Sequence, residues 1–455
     1  MLSGLPTRAM QAEGIHRRWS WEWLARGNFY VLAFLSAWLC VSSQVKFAEV
    51  QLLEIIYALD GFLIVAWLLF HHDRIRLLRP LFNIGLRWFV FLVLAVVLAL
   101  VALQHDFYVS ENVSILKQPF VVTMSRSGEL VLDIGVMLAL ASQFIEDRRL
   151  CRFATMQFYW AGMAGCVYGF ISFLGWTFFH VAMGGLGPGA RIDGFNNEGG
   201  PFGVYAVTVI CATAAAETQG WMSKTQMRLS IGFMFFCVIE SLSKSALIEV
   251  ALLIVIIALL RMSAVKSISV VLATVAGTFI LFSALGLTDR VTAYFTIADS
   301  YEVISQTRPK DGNFVLGRAA GIFLAPRMIA AHPLAGIGWG NYPIVRDDPQ
   351  YRRGSPAVNA ALDAPTLGPI DYIVELGLPL FCYLTWVQIV PAFTLLRKGA
   401  PTAIVCLVLL LPISIWSGAH LNFTYPWIGV ALALGMFYFQ GDRYPGSMSP
   451  ASTSR

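Results

Sequence analysis

Long apolar runs separated by short polar segments are the dominant pattern along the chain. The runs are roughly 17 to 25 residues long, the length that a helix needs to cross a hydrocarbon core about 30 Å thick. The pattern therefore predicts twelve membrane spans, near residues 29–47, 50–70, 84–104, 129–146, 156–179, 201–217, 228–242, 244–260, 267–287, 370–392, 401–417 and 423–440.

Composition supports the same class of protein. Hydrophobic residues make up 57% of the 455 residues, charged residues only 13%, and the mean hydropathy is +0.67. A soluble globular domain typically has about a quarter of its residues charged. The fold class predicted is an all-α polytopic membrane protein. Residues 1–28 are polar and basic, and the first apolar run is long enough to span, so this tail is expected to be retained in the cytosol.

The distribution of lysine and arginine orients the predicted spans, because these residues concentrate near the cytoplasmic ends of spans. With residues 1–28 inside, the short outer segments carry only Lys46, Lys117, Arg126, Arg191 and Lys244. The predicted organisation is spans 1–9 over 29–287, a large and partly helical outer loop over 288–369, spans 10–12 over 370–440, and a second cytosolic tail over 441–455. The large loop holds basic residues of its own, but long loops are exempt from the rule.

Two functional classes are disfavoured by the same features. The net charge of +5 follows from topology, and no basic patch interleaved with stacking aromatics suggests nucleic acid as a partner. No paired CxxC or His/Cys spacing suggests a metal, and no cofactor is expected. The cysteines fall in predicted spans or at their cytosolic ends, so disulfides are not expected: Cys40, Cys151, Cys166, Cys211, Cys237, Cys382 and Cys406.

Three cations stand out in the outer segments. Arg191 lies in a glycine- and asparagine-rich loop, 184–203, and Lys244 lies in the short connection "SLSKSA". Turn formation explains the loop and snorkelling to the interface explains Lys244, but both cations also suit a lipid-linked phosphate. Arg318 falls at the start of a helix predicted over about 317–331, where a bound phosphate would suit the exposed N–H groups.

The stretch "HPLAGIGWGNY", residues 332–342, combines a histidine, alternate glycines and two aromatic residues. A dinucleotide loop needs a strand before its glycines, whereas a helix precedes these. The glycines therefore predict a sharp turn. Trp339 and Tyr342 add two aromatic side chains to this turn. His332 either interacts with helix-terminal carbonyls or contacts the substrate.

These motifs, taken in order, resemble the O-antigen ligase and polysaccharide polymerase superfamily. The resemblance covers roughly residues 185–390 and depends on Arg191 with "DGFNNE", "SLSKSA", the "GR" at 317–318, "HPLAGIGWGNY" and "YIVELGLPL" at 372–380. It implies a metal-independent glycosyltransferase of GT-C-like fold, acting at the periplasmic face of the bacterial inner membrane. The implied substrate is an undecaprenyl-pyrophosphate-linked oligosaccharide. Arg191, Lys244 and Arg318 would bind its pyrophosphate, and Trp339 and Tyr342 would offer ring faces to its sugars. A chain-length regulator and a flippase are candidate partners.

The sequence departs from the ligase pattern at one position. Thr366 and Leu367 stand where counting back from Gly377 places the usual histidine. This favours a polymerase that joins repeat units, with a ligase transferring glycan to lipid A-core as the alternative. The candidates for a general base are Asp363, Asp371, Glu375 and His332.

A transporter or lipid-linked sugar flippase and a non-catalytic scaffold are the competing classes. Acids inside predicted spans could couple ions, although several could simply lie near interfaces: Glu54, Asp60, Asp133, Glu240, Glu249 and Glu375. No internal repeat relates the two halves, and a loop of this length is unusual for a carrier.

Overall fold

A computed structural model gives the architecture of the chain. It describes residues 27–40, 46–47, 50–51, 55–59, 79–104, 118–181, 184–187, 190–196, 198–286, 318–346, 348–352, 368–418, 421 and 423–441.

The described elements are fifteen helices and two short hairpins. The helices are α1 (Gly27–Leu39), α2 (55–59), α3 (Arg79–Ala102), α4 (Pro119–Glu146), α5 (Arg148–Phe179), α6 (Gly199–Thr218), α7 (Lys224–Glu240), α8 (Lys244–Arg261), α9 (Ala264–Ala284), α10 (Arg318–Ala331), α11 (Tyr342–Val345), α12 (Pro349–Arg352), α13 (Pro369–Arg397), α14 (Thr402–Ser417) and α15 (Thr424–Gly441). The antiparallel hairpins pair β1 (Lys46–Phe47) with β2 (Val50–Gln51) and β3 (Leu186–Gly187) with β4 (Arg191–Ile192).

The helices follow the predicted apolar runs. Every run coincides with a described helix except the second, 50–70, most of which lies outside the described residues. Within the described part of the chain, six helices are long and apolar enough to cross a membrane: α3, α4, α5, α6, α9 and α13. The prediction of an all-α, multi-pass membrane protein is confirmed, whereas the count of twelve spans stays a prediction.

Helix α5 shows how local sequence sets the helix boundaries. The Asp147 side chain accepts hydrogen bonds from the backbone N–H groups of Arg149, at 2.8 Å, and Leu150, at 3.2 Å. It thereby satisfies donors that have no partner inside the helix. Ser243 caps α8 in the same way by accepting from the Ala246 N–H. These caps separate α4 from α5 and α7 from α8 within very few residues.

The centre of the bundle consists of α6, α14 and α15, which pack on one another and on their neighbours α4, α5 and α8. Nearly all side chains of α15 up to Met436 are buried. By contrast, α9 packs mainly on α8 and exposes Val265, Leu272 and Phe279. Apolar side chains exposed in this way suit contact with lipid.

The two ends of the bundle differ. At one end of the bundle, which we call the Arg191 end, helices α6 and α8 begin and helices α7 and α14 end. Two hydrogen bonds join these helix ends: the Ser243 Oγ donates to the Gly200 carbonyl, and the Ser245 Oγ donates to the Ser417 carbonyl. At the opposite Arg261 end, Arg261 contacts Thr402. The helix ends there carry most of the described basic residues of the bundle, namely Arg148, Arg149, Arg152, Lys224, Arg228, Arg261, Lys266, Arg397 and Lys398.

Candidate functional site

Helix α13 is broken at Gly377, next to the turn that follows α10. Gly377 has a non-helical backbone (φ 71°, ψ 166°), and Leu378 donates its N–H to the Pro333 carbonyl at 2.9 Å instead of to Val374. Pro379 has no N–H to give to Glu375. The carbonyls of Val374 and Glu375 are therefore left without partners inside the helix.

The turn at 333–338 supplies those partners. The N–H of Ile337 donates to the Val374 carbonyl, and the N–H of Gly338 donates to the Glu375 carbonyl, both at 3.0 Å. We call this set of contacts between 333–338 and 374–378 the clasp. It anchors the end of α10 to the start of α13, so backbone groups exposed by the helix break are satisfied by the loop.

Glycine is required at both sides of the clasp. Gly336 has φ 65°, and a Cβ there would collide with the Glu375 carbonyl. A Cβ at Gly377 would collide with the Leu334 carbonyl. The prediction that α10 ends in a sharp glycine turn is confirmed, and its physical reason is a close approach of two backbones.

Glu375, a predicted base, holds the same loop with its side chain. Its Oε1 accepts the backbone N–H of Tyr342 at 3.2 Å, and the Gly340 backbone is a second donor to the carboxylate. The residue is 8% exposed. These contacts describe an anchor for the start of α11.

Trp339 and Tyr342 lie in the core, each 3% exposed. The Trp339 ring packs edge-on to Phe91 of α3 and against Tyr372 of α13, with centroids 5.9 Å apart in both pairs, and its carbonyl accepts from Thr123 of α4. Tyr342 belongs to a smaller apolar cluster under α10. The sugar contact expected for these rings stays a prediction, and it would require this packing to open.

His332 is half-buried and pairs with α12. Its Nε2 lies 2.9 Å from the Tyr351 hydroxyl. Burial raises the pKa of Tyr351 to about 12, so the phenol stays protonated near neutral pH. Neither sequence-based interpretation of His332 included this partner, and a substrate role for it stays a prediction.

Arg191 and the "SLSKSA" turn meet at the Arg191 end. The Arg191 Nε donates to the Ser241 carbonyl at 3.0 Å, which ties the β3–β4 hairpin to the end of α7. Lys244 follows as the first residue of α8 and is half-buried. Two helix N-termini, those of α6 and α8, lie beside this pair and add their partial positive charge.

The structure describes the other predicted site residues only in part. Arg318 begins α10, but its side chain, like all of Asp363 and Thr366, lies outside the described residues. Asp371 lies in the first turn of α13, where a carboxylate suits the helix dipole. The structure therefore brings Arg191 and Lys244 to one end of the bundle and leaves their relation to Arg318 as a prediction.

Arg126 was not singled out from the sequence. It lies on α4, its stem would contact a Cβ placed at Gly340, and its charge acts on Glu375. Its Nη1 forms a half-exposed ion pair with Glu129 at 3.1 Å. A long-range contact of this kind leaves no local pattern, so only the three-dimensional packing identifies Arg126 as a cation beside the clasp.

The chemistry available here is anion binding and proton transfer. In the described part of the chain, no group of three His, Cys, Asp or Glu side chains could hold a metal ion. Searches against protein-family models, curated proteins and solved structures find no match to this chain.

Proposed function

We propose that the chain is a polysaccharide polymerase of the bacterial inner membrane. It joins oligosaccharide repeat units carried on undecaprenyl pyrophosphate. In the reaction, a sugar hydroxyl of one unit forms a bond to the anomeric carbon of another, the bond from that carbon to the pyrophosphate oxygen breaks, and the hydroxyl proton passes to a base. The leaving group is lipid pyrophosphate, so fixed cations lower the barrier.

The meeting of Arg191 with the Lys244 turn is the observation that carries this proposal. The Arg191 guanidinium is fixed through Nε to a backbone carbonyl, and Lys244 adds a second charge within the same turn-and-helix unit. Pyrophosphate carries negative charge that such a pair stabilises as the bond to carbon breaks. In this scheme Arg318 contributes a third cation.

The proposal also includes the number of membrane spans and their orientation. Twelve spans with a GT-C-like arrangement put the Arg191 end at the periplasmic face and the Arg261 end in the cytosol. The crowding of basic residues at the helix ends of the Arg261 end supports this orientation. The clasp then holds α10 against α13 and the turn at 338–340 against α3 and α4, where a lipid-linked sugar would arrive.

A deletion strain tests the function in cells. A polymerase defect leaves lipid-linked single repeat units with no longer chains, and complementation by the intact gene restores polymer. Complementation by R191A fails although the protein reaches the membrane, whereas the control R228A, which changes an exposed arginine at the Arg261 end, succeeds. Long lipid-linked chains in the deletion strain would contradict the proposal.

A further inference from the structure

The turn that follows β4 contains two buried polar side chains. The Asn196 N–H donates to the Asp193 carbonyl at 2.8 Å, which closes the turn, and the Asp193 N–H donates to the Gly185 carbonyl at 3.1 Å, which ties it to the hairpin. Gly194 has φ 56°, as such a turn requires. Asp193 is 4% exposed and Asn196 3%.

Both side chains keep hydrogen-bonding capacity. The Asp193 Oδ1 and the Asn196 Nδ2 have no hydrogen-bond partner among the described residues. Buried polar atoms are normally paired, and each one left unpaired is costly. One atom is an acceptor and the other a donor, so together they match a hydroxyl group, which donates one hydrogen bond and accepts others.

The pair lies beside the proposed pyrophosphate site. Asp193 stands two residues after Arg191, and the Arg191 charge acts on its carboxylate. The turn itself is buried, while Val181 and Glu198 on either side of it along the chain are exposed. The rings of Phe195 and Tyr168 stack at 5.1 Å and 12° next to it, and aromatic faces of this kind suit sugar rings.

We propose that Asp193 is the general base of the polymerisation and that Asn196 holds the same acceptor hydroxyl. The Asp193 carboxylate takes the hydroxyl proton as the oxygen bonds to the anomeric carbon, and the electron pair of the broken bond leaves with the pyrophosphate on Arg191. This assignment rests on the proposed function. Glu375 is less suited because its carboxylate accepts two backbone N–H groups of the neighbouring loop, whereas the Asp193 Oδ1 has no hydrogen-bond partner among the described residues.

The electrostatics of the turn agree with this role. Burial raises the pKa of Asp193 to about 6, and the Arg191 charge opposes part of that rise. The other titratable groups on the packed elements are Tyr168 on α5, Glu198 before α6, Glu240 at the end of α7 and Lys244 on α8. A base with a pKa close to the working pH combines ionisation with useful basicity.

Kinetics of the reconstituted full-length protein test the assignment. The D193N variant keeps the size and one acceptor oxygen but loses the base. We expect kcat to fall by about 10²- to 10⁴-fold while KM for the lipid-linked donor changes little. Wild-type kcat/KM should fall below about pH 6 as Asp193 is protonated. The control E146Q, on an exposed acid at the Arg261 end of the bundle, keeps both rate and pH profile.

Two further outcomes distinguish a failure of the general-base assignment from a failure of the proposed function. A D193N protein with kcat within threefold of wild type overturns the base role, whereas a wild-type protein that makes no polymer overturns the function itself. If D193N does not fold, D193E replaces it: a lower rate with the acid limb retained supports the role, and an unchanged rate overturns it. In N196A we expect a higher KM for the acceptor; an unchanged KM overturns the hydroxyl-holding role.

Discussion

Replacing Gly336 by alanine perturbs the clasp at its tightest point. A Cβ there meets the Glu375 carbonyl, so the turn must move away and break the hydrogen bonds from Ile337 to Val374 and from Gly338 to Glu375. Two such bonds contribute about 2 kcal/mol together at a typical net value of about 1 kcal/mol each. Alanine at positive φ adds about 1 to 2 kcal/mol of backbone strain.

The matched control is Gly220→Ala. Gly220 has a similar φ of 70°, but nothing lies within 4 Å of the position of its Cβ. It carries the same kind of strain without a collision, and it lies in the loop between α6 and α7, far along the chain from the clasp. The difference between the two variants isolates the contact with Glu375.

Hydrogen–deuterium exchange at the Ile337 and Gly338 amides is the direct assay, because both N–H groups are clasp donors. A total loss of about 3 to 4 kcal/mol in local stability predicts exchange roughly 10²- to 10³-fold faster in G336A than in wild type. In G220A these two amides should exchange as in wild type. Exchange in G336A within threefold of wild type would refute the account of the helix break.

Three further predictions concern the site. Because the Trp339 ring belongs to the core, W339F should lower the free energy of unfolding by less than about 1.5 kcal/mol and W339A by about 3 to 5 kcal/mol. A W339A protein that is stable but inactive would favour the sugar role instead. R191K should bind the lipid-linked donor more weakly than wild type and R191A more weakly still, measured by donor binding with R228A as the control, since lysine keeps the charge but loses the planar fork. Asp193 has a folded-state pKa of about 6, above its ordinary value of about 4, so thermal stability should decrease as the pH rises between these values. The D193N protein should lack this decrease, and an equal decrease in both proteins would exclude Asp193 as its source.

The helices could be predicted from sequence because their signals are local. An apolar run of sufficient length predicts a span whatever the rest of the chain does, and α10 followed by its glycine turn was predicted within 317–331 and 332–342 on similar grounds. The alternate glycines gave a signal because each needs a backbone conformation or a close approach that other residues tolerate poorly.

The roles of individual side chains at the site were harder to predict. Trp339 stands in a polar stretch, and its burial depends on Phe91, which is far away in sequence. The sequence shows Glu375 only as an acid near a helix start, because the backbone N–H groups that bind it come from a loop far away in sequence. Within "DGFNNE", the sequence does not reveal that Asp193 becomes buried with one carboxylate oxygen lacking a hydrogen-bond partner among the described residues. All three depend on long-range packing.

The central claim is that this chain lengthens lipid-linked glycans at the Arg191 end of its bundle. Its most direct test reconstitutes the purified protein in liposomes with undecaprenyl-pyrophosphate-linked repeat units, in EDTA and without nucleotide sugars. The account predicts longer lipid-linked chains from wild type and none from R191A. Movement of the substrate across the bilayer with no increase in chain length would contradict it and identify a carrier instead.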